Sequence, residues 1–232
     1  MSYLKQLQGT MTEEKKQDAK HDLFAFYIGR PLSYILTIPF LWFNTKPNTI
    51  SIIAAFEIVI AAWVLSSASS IKFAIAGWGL FFLWNLLDGV DGNIARLKKN
   101  GSKLGSVYDA MSGYEAMFLL YFSAGIFSFN MSGHIDYIQI IVGALSGMFV
   151  IFPRLIMHKT NTELGCSEKN ELADKKDFGF IKVVALNITS ISGLVEVFLL
   201  IAIMLNQVNI FNWIYLVINL VVMIGSLIKV LK

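Results

Sequence analysis

Six apolar stretches, at about 49–67, 71–97, 104–129, 135–157, 180–206 and 209–231, constrain this chain more than any other feature. Each is close to the roughly 20 residues a helix needs to cross the hydrocarbon core of a bilayer. Inside that core every backbone N–H and C=O must be satisfied within the chain, and runs of this length do so as helices. The expected fold is therefore an all-α integral membrane protein, with six transmembrane helices and an N-terminal cytosolic, interfacial helix. Composition agrees, because 56% hydrophobic residues, only 15% charged residues and a mean hydropathy of +0.62 exclude an ordinary soluble domain.

The basic residues orient the spans. With the N-terminus in the cytosol, every lysine and arginine except Lys72 falls on one side. They group before the first span, after the second, around 154–182 and at the C-terminal end, the positive-inside pattern. The expected location is a bacterial inner membrane, with the working face towards the cytosol. A net charge of +3 gives no case for nucleic acid. The single cysteine, Cys166, excludes an internal disulfide framework and a cysteine-rich metal site. The first twenty residues are polar, lack the basic-then-apolar layout of a secretory signal, and read as mature sequence.

Between 23 and 43 the chain is apolar and aromatic, but Arg30-Pro31 and Pro39 interrupt it and leave no unbroken piece long enough to cross. The reading is an interfacial helix, with Tyr27, Tyr34 and Trp42 at headgroup level and Arg30 within reach of lipid phosphate. Lys46-Pro47-Asn48-Thr49 then reads as a stop and a cap for the first span. The long polar connection 159–177 reads as a solvated cytosolic loop. The chain is one domain, 1–232, made of an N-terminal segment, 1–47, and a six-helix core, 48–232.

Ionisable residues inside a membrane are rare and usually functional. Asp88 and Asp91 lie near the cytosolic end of the second span, with Gly92, Ala95 and Arg96 on the same helical face. Asp109 lies one to two turns into the third span. Antiparallel helices would bring the three carboxylates to one depth, where they repel one another and lose hydration. One or two Mg2+ or Mn2+ ions would relieve both costs and leave positions open to phosphate oxygens. Gly92, Ala95 and, on the facing helix, Gly105 leave room for a ligand against the backbone, although small residues also serve plain helix packing. DGVDGN lacks the alternating ligands of a calcium loop, and no G-x4-G-K-[ST] phosphate loop is present.

The segment Asp88 to Gly113, spaced D-x2-D-G-x2-A-R-x8-G-x3-D-x3-G, resembles the signature of the CDP-alcohol phosphotransferases (CDP-alcohol phosphatidyltransferases), membrane enzymes that make phospholipid head groups. The family pattern ends in a fourth aspartate where this chain has Gly113. The resemblance implies transfer of a phosphoryl-alcohol unit from a CDP-linked lipid or alcohol donor to an acceptor hydroxyl, with release of CMP. It implies that Asp88, Asp91 and Asp109 bind the metal. It also implies that Gly92, Ala95 and Gly105 line the cytidine-diphosphate pocket, while Arg96 anchors the helix end or faces the nucleotide.

In that pattern the fourth aspartate is the general base. Glu115 points about 200° away from position 113 on a helix, and Tyr114 is a weak base. Three explanations stand open. A carboxylate from another span, Glu57 or Glu196, could act as base. The acceptor could attack through an oxygen already ionised. The protein could bind a CDP-linked ligand without transferring it. A transporter built on intramembrane carboxylates would spread them through the membrane depth, whereas these cluster at one edge. Arg154 and His158, beside Pro153, and Lys182 could hold a phosphate or simply flank the membrane. Gly143-x3-Gly147 could serve a homodimer contact or packing within the chain. Asn187 and Asn219 read as interhelical hydrogen-bonders, and the isolated His21 and His134 make a histidine metal site improbable.

Overall fold

The structure, a computed structural model, describes residues 3–164 and 179–230, and all regular structure among them is helical. Two short helices, α1 (Tyr3–Gln8) and α2 (Glu13–Ala19), lead to a π-helical turn, Ala25–Gly29, and α3 (Arg30–Trp42). The bundle follows with α4 (Pro47–Ser66), α5 (Ile71–Lys98), α6 (Lys103–Met131) and α7 (Ile138–Leu164). It closes with α8 (Phe180–Thr189), a second π-helical turn, Ile191–Val195, α9 (Glu196–Met204) and α10 (Val208–Val230).

Among the described residues, four helices are each long and apolar enough to cross a membrane: α4, α5, α7 over Ile138–Thr160 and α10 over Val208–Ile228. Val183–Thr189 and Ile191–Met204 make a fifth crossing if the pair, bent by 55°, counts as one broken span. Thus four or five of the six expected spans qualify on length and composition. The remaining helix, α6, is 29 residues long, but Asp109, Glu115 and its serines and tyrosines dilute its apolar content.

Several boundaries differ from the sequence reading for clear reasons. α4 begins at Pro47, two residues early, because a proline at the first helical position gives up only an N–H that has no helical partner. α3 runs through Pro39 rather than stopping there. Tyr34 does not sit at an exposed headgroup position: it is buried, with its hydroxyl 3.6 Å from Met11 Sδ, because α1 packs across α3. Tyr27 and Trp42 are exposed. α7 continues to Leu164, so the polar connection starts later than expected; Cys166 lies outside the described residues.

α4 is the wedge of the bundle. Ile50, Ala54, Ile58, Ala61 and Leu65 recur every three or four residues and are fully buried, and the helix packs against both α5 and α6. On α5, a Cβ at Gly77 would lie 2.8 Å from Leu65 Cα, so glycine sets that approach. α6 and α7 cross as closely: a Cβ at Gly125 would lie 2.5 Å from the Gln139 carbonyl, and one at Gly143 would strike the Tyr121 carbonyl. Gly147 sits on Phe118. The Gly143-x3-Gly147 motif therefore serves packing within the chain.

The expected fifth span is broken rather than continuous. Ser190 is extended (φ −73, ψ 115) and Gly193 is non-helical (φ −116, ψ −129). A break at membrane depth needs replacement partners for its backbone. α5 supplies two: Asn85 Nδ2 donates to the Ser192 carbonyl at 3.0 Å, and Trp78 Nε1 donates to the Glu196 carbonyl at 2.7 Å.

Candidate functional site

α5 and α6 touch each other little, because α4 packs between them. The space left beside α5 is a cavity of about 500 Å³. Its walls come from the π-turn and start of α3, the first turns of α4, the last four turns of α5 and the first two of α6, with Asp22 and Ser192 added from elsewhere. Two serine caps fix the helix starts: Ser70 Oγ accepts from Phe73 N–H on α5, and Ser102 Oγ accepts from Gly105 N–H at 2.9 Å on α6.

The structure brings Asp88, Asp91, Gly92, Ala95, Arg96, Gly105 and Asp109 to the wall of this one cavity. Asp91 is buried, and its Oδ2 accepts a 2.5 Å hydrogen bond from Ser51 Oγ on α4. Asp88 lies within electrostatic reach of both Asp91 and Asp109, with the Asp109 carboxyl close enough to share a hydrogen bond. Two carboxylates in such contact repel unless a proton or a cation lies between them. Among the described residues, neither Asp88 nor Asp109 has a lysine or arginine at ion-pair distance.

These residues can be weighed as a divalent-metal site on their donors. Three carboxylates with no lysine or arginine at ion-pair distance among the described residues, offering hard oxygens to one cavity, fit Mg2+ or Mn2+. The shell is not drawn together here: among the described residues, no three aspartate, glutamate, histidine or cysteine side chains converge tightly enough to hold one ion.

Arg96 curls back over its own helix, with Nη2 donating to Asn93 Oδ1 at 2.8 Å and Nη1 lying 3.1 Å from where a Gly92 Cβ would be. Asn93 is almost wholly buried and donates through Nδ2 to Ser33 Oγ (3.2 Å) and Thr37 Oγ1 (3.0 Å) on α3. A Cβ at Gly89 would lie 2.7 Å from Ser33 Cβ, so the same α3–α5 contact depends on that glycine. On the opposite wall a Cβ at Gly105 would lie 2.8 Å from Asn48 Oδ1. Arg30 also lines the cavity; Nη1 points at Met11 Sδ, while Nε is buried with no partner among the described residues. Arg30 and Arg96 lie within mutual electrostatic reach, which gives the cavity a cationic end beside its aspartates.

The two glutamates expected as candidate bases do not line the cavity. Glu196 is fully buried at the start of α9, with Oε2 accepting from Asn85 Nδ2 at 3.1 Å and Oε1 unpartnered among the described residues. Glu57 faces it electrostatically from α4, and both its oxygens are buried without a partner among the described residues. Asn85, which does line the cavity, separates Glu196 from it. Arg154 and His158 also lie away from the cavity, where Tyr114 Oη meets His158 Nδ1 at 3.1 Å. At Gly113 a Cβ would meet nothing within 4 Å, so no crowding requires glycine there.

Sequence reasoning missed Asp22, Ser51, Asn85 and Asn93. Asn85 and Asn93 carried a usable signal, being polar residues in an apolar helix close to Asp88. Asp22 carried none, since only the tertiary fold brings the N-terminal segment to Ser190 and Gly193.

The family model for CDP-alcohol phosphatidyltransferase matches residues 44–225, from the turn before α4 into α10, and so takes in the whole Asp88 to Gly113 segment. No curated protein matches the chain significantly. The match spans well over half the chain, and this protein belongs to the CDP-alcohol phosphatidyltransferase family.

Proposed function

We propose that this protein transfers a phosphoryl-alcohol group, phosphatidyl or another substituted phosphate, from a CDP-linked donor to an acceptor and releases CMP. The family is one of transferases that use CDP-alcohols in lipid synthesis. The observation that carries the reading for this chain is the convergence of its three aspartates, two small-residue walls and Arg96 on one cavity.

Asp88, Asp91 and Asp109 would hold Mg2+ or Mn2+, which when bound neutralises charge on the donor's diphosphate. Ser51 fixes the Asp91 carboxyl from α4. Gly92, Ala95 and Gly105 would line the nucleotide's place in the cavity, with the Arg96 guanidinium folded over Gly92 and Asn48 against Gly105, and Asn93 holds Arg96 on the cavity wall as an anion-binding group. Arg30 offers a second guanidinium to the same anion. In our reading α6 crosses the membrane as well, giving six spans, and the positive-inside pattern turns the cavity to the cytosol.

Gly113 supports a second reading: a protein that binds a CDP-linked ligand on this fold without turning it over. CMP release from CDP-diacylglycerol or soluble CDP-alcohols, with Mg2+ and a panel of hydroxyl acceptors, separates the two. Metal-dependent CMP release supports transfer. Tight CDP binding with no release under any pairing supports the silent binder.

A further inference from the structure

We propose that Asp22 accepts the proton of the attacking hydroxyl in this chain, in place of the carboxylate missing at position 113. The proposal rests on the transfer reaction above. Among the described residues, Asp22 is the one carboxylate besides Asp88, Asp91 and Asp109 that lines the cavity. It precedes residues 44–225, the stretch matched to the family.

Its placement is built from several contacts. Asn187 pins the chain on both sides of it, with Oδ1 accepting from Leu23 N–H at 2.9 Å and Nδ2 donating to the His21 carbonyl at 2.6 Å. Ser190 Oγ donates to Asp22 Oδ2 at 2.5 Å. Oδ1 faces Ala25 N–H at 3.4 Å and lies 2.8 Å from where a Gly193 Cβ would be, so only glycine lets the carboxyl approach so closely. The break between α8 and α9 therefore supplies both the serine and the glycine that seat Asp22. A carboxylate has about four lone-pair sites, so these two contacts leave capacity for a substrate hydroxyl.

The step balances. The acceptor O–H gives its proton to the Asp22 carboxylate as its oxygen bonds to the alcohol-bearing phosphorus. The phosphoanhydride bond breaks, CMP leaves with that electron pair on its phosphate oxygen, and Asp22 then returns the proton to water.

Asp22 also caps the turn that follows it, so the test must separate placement from proton transfer. The full-length protein would be assayed for CMP release from CDP-diacylglycerol in mixed micelles with Mg2+, using glycerol, inositol and their monophosphates as acceptors. CDP affinity would be measured alongside. Asp22→Asn should lower kcat by about 10²–10⁴-fold while CDP affinity stays within twofold. Adding Gly113→Asp, where a Cβ would meet nothing within 4 Å, should restore at least tenfold of the loss. Normal turnover by Asp22→Asn, a fall in CDP affinity that matches the fall in kcat, or no recovery with Gly113→Asp would overturn the assignment. A wild-type protein that binds CDP but releases no CMP would instead overturn the transfer reaction itself, and this assignment with it.

Discussion

Asn93→Ala isolates the link between the α3–α5 contact and the cavity. Asn93 is 1% exposed and makes three side-chain hydrogen bonds, two to hydroxyls on α3 and one from the Arg96 guanidinium. A neutral hydrogen bond contributes about 1 kcal/mol in soluble proteins and nearer 0.6 kcal/mol between membrane helices. Losing the two to Ser33 and Thr37 should cost about 1–2 kcal/mol, seen as a fall of a few degrees in melting temperature. The charged bond to Arg96 is worth about 1.5–3 kcal/mol. If Arg96 binds the nucleotide from the pose Asn93 holds, CDP affinity should fall roughly ten- to hundredfold, at about 1.4 kcal/mol per decade. Arg96→Met should cause a similar loss, and the double variant should be little worse than either single one. The assay is equilibrium binding of radiolabelled CDP in Mg2+, with thermal unfolding measured on the same samples. CDP affinity unchanged in Asn93→Ala, or fully additive losses in the double variant, would refute the claim that Asn93 acts through Arg96.

Asp88→Asn should abolish metal-dependent CMP release and the rise in melting temperature that Mg2+ gives the wild type, because it takes one carboxylate from the cavity wall; CMP assays and differential scanning fluorimetry with and without Mg2+ read the two effects. Glu57→Gln should leave turnover near wild type and stability equal or higher, since both carboxyl oxygens are buried without partners among the described residues; a large loss of kcat would return Glu57 to the chemistry. Gly143→Leu should destabilise by about 1–3 kcal/mol or more through collision with the Tyr121 carbonyl, without altering oligomeric state on size-exclusion chromatography.

The helical architecture was legible because bilayer length and backbone satisfaction leave few options to runs such as 49–67 and 209–231. The aspartate face was legible because helix spacing alone aligns Asp88, Asp91, Gly92 and Ala95, and a short turn returns Asp109 to them. The break at Ser190–Val195 was not, since one glycine in an apolar run is an ordinary membrane residue and the side chains that meet the break, Asn85, Trp78 and Asp22, come from distant parts of the chain. Tyr34 misled because an aromatic in an apolar helix suits an interface as well as a buried contact, and the helix that covers it lies in the polar N-terminal segment. The close α6–α7 crossing was half legible: Gly143-x3-Gly147 announced a contact, but only the fold names α6 as its partner.

On the proposed function, a CDP-linked donor and a divalent ion share the cavity beside α5. A structure of the protein with CDP and Mn2+ tests it most directly, because the anomalous signal of manganese locates the ion independently of the nucleotide. Manganese is expected among Asp88, Asp91 and Asp109, with the cytidine against Gly92, Ala95 and Gly105. Nucleotide bound elsewhere, or no nucleotide at a concentration that saturates binding in solution, would contradict it.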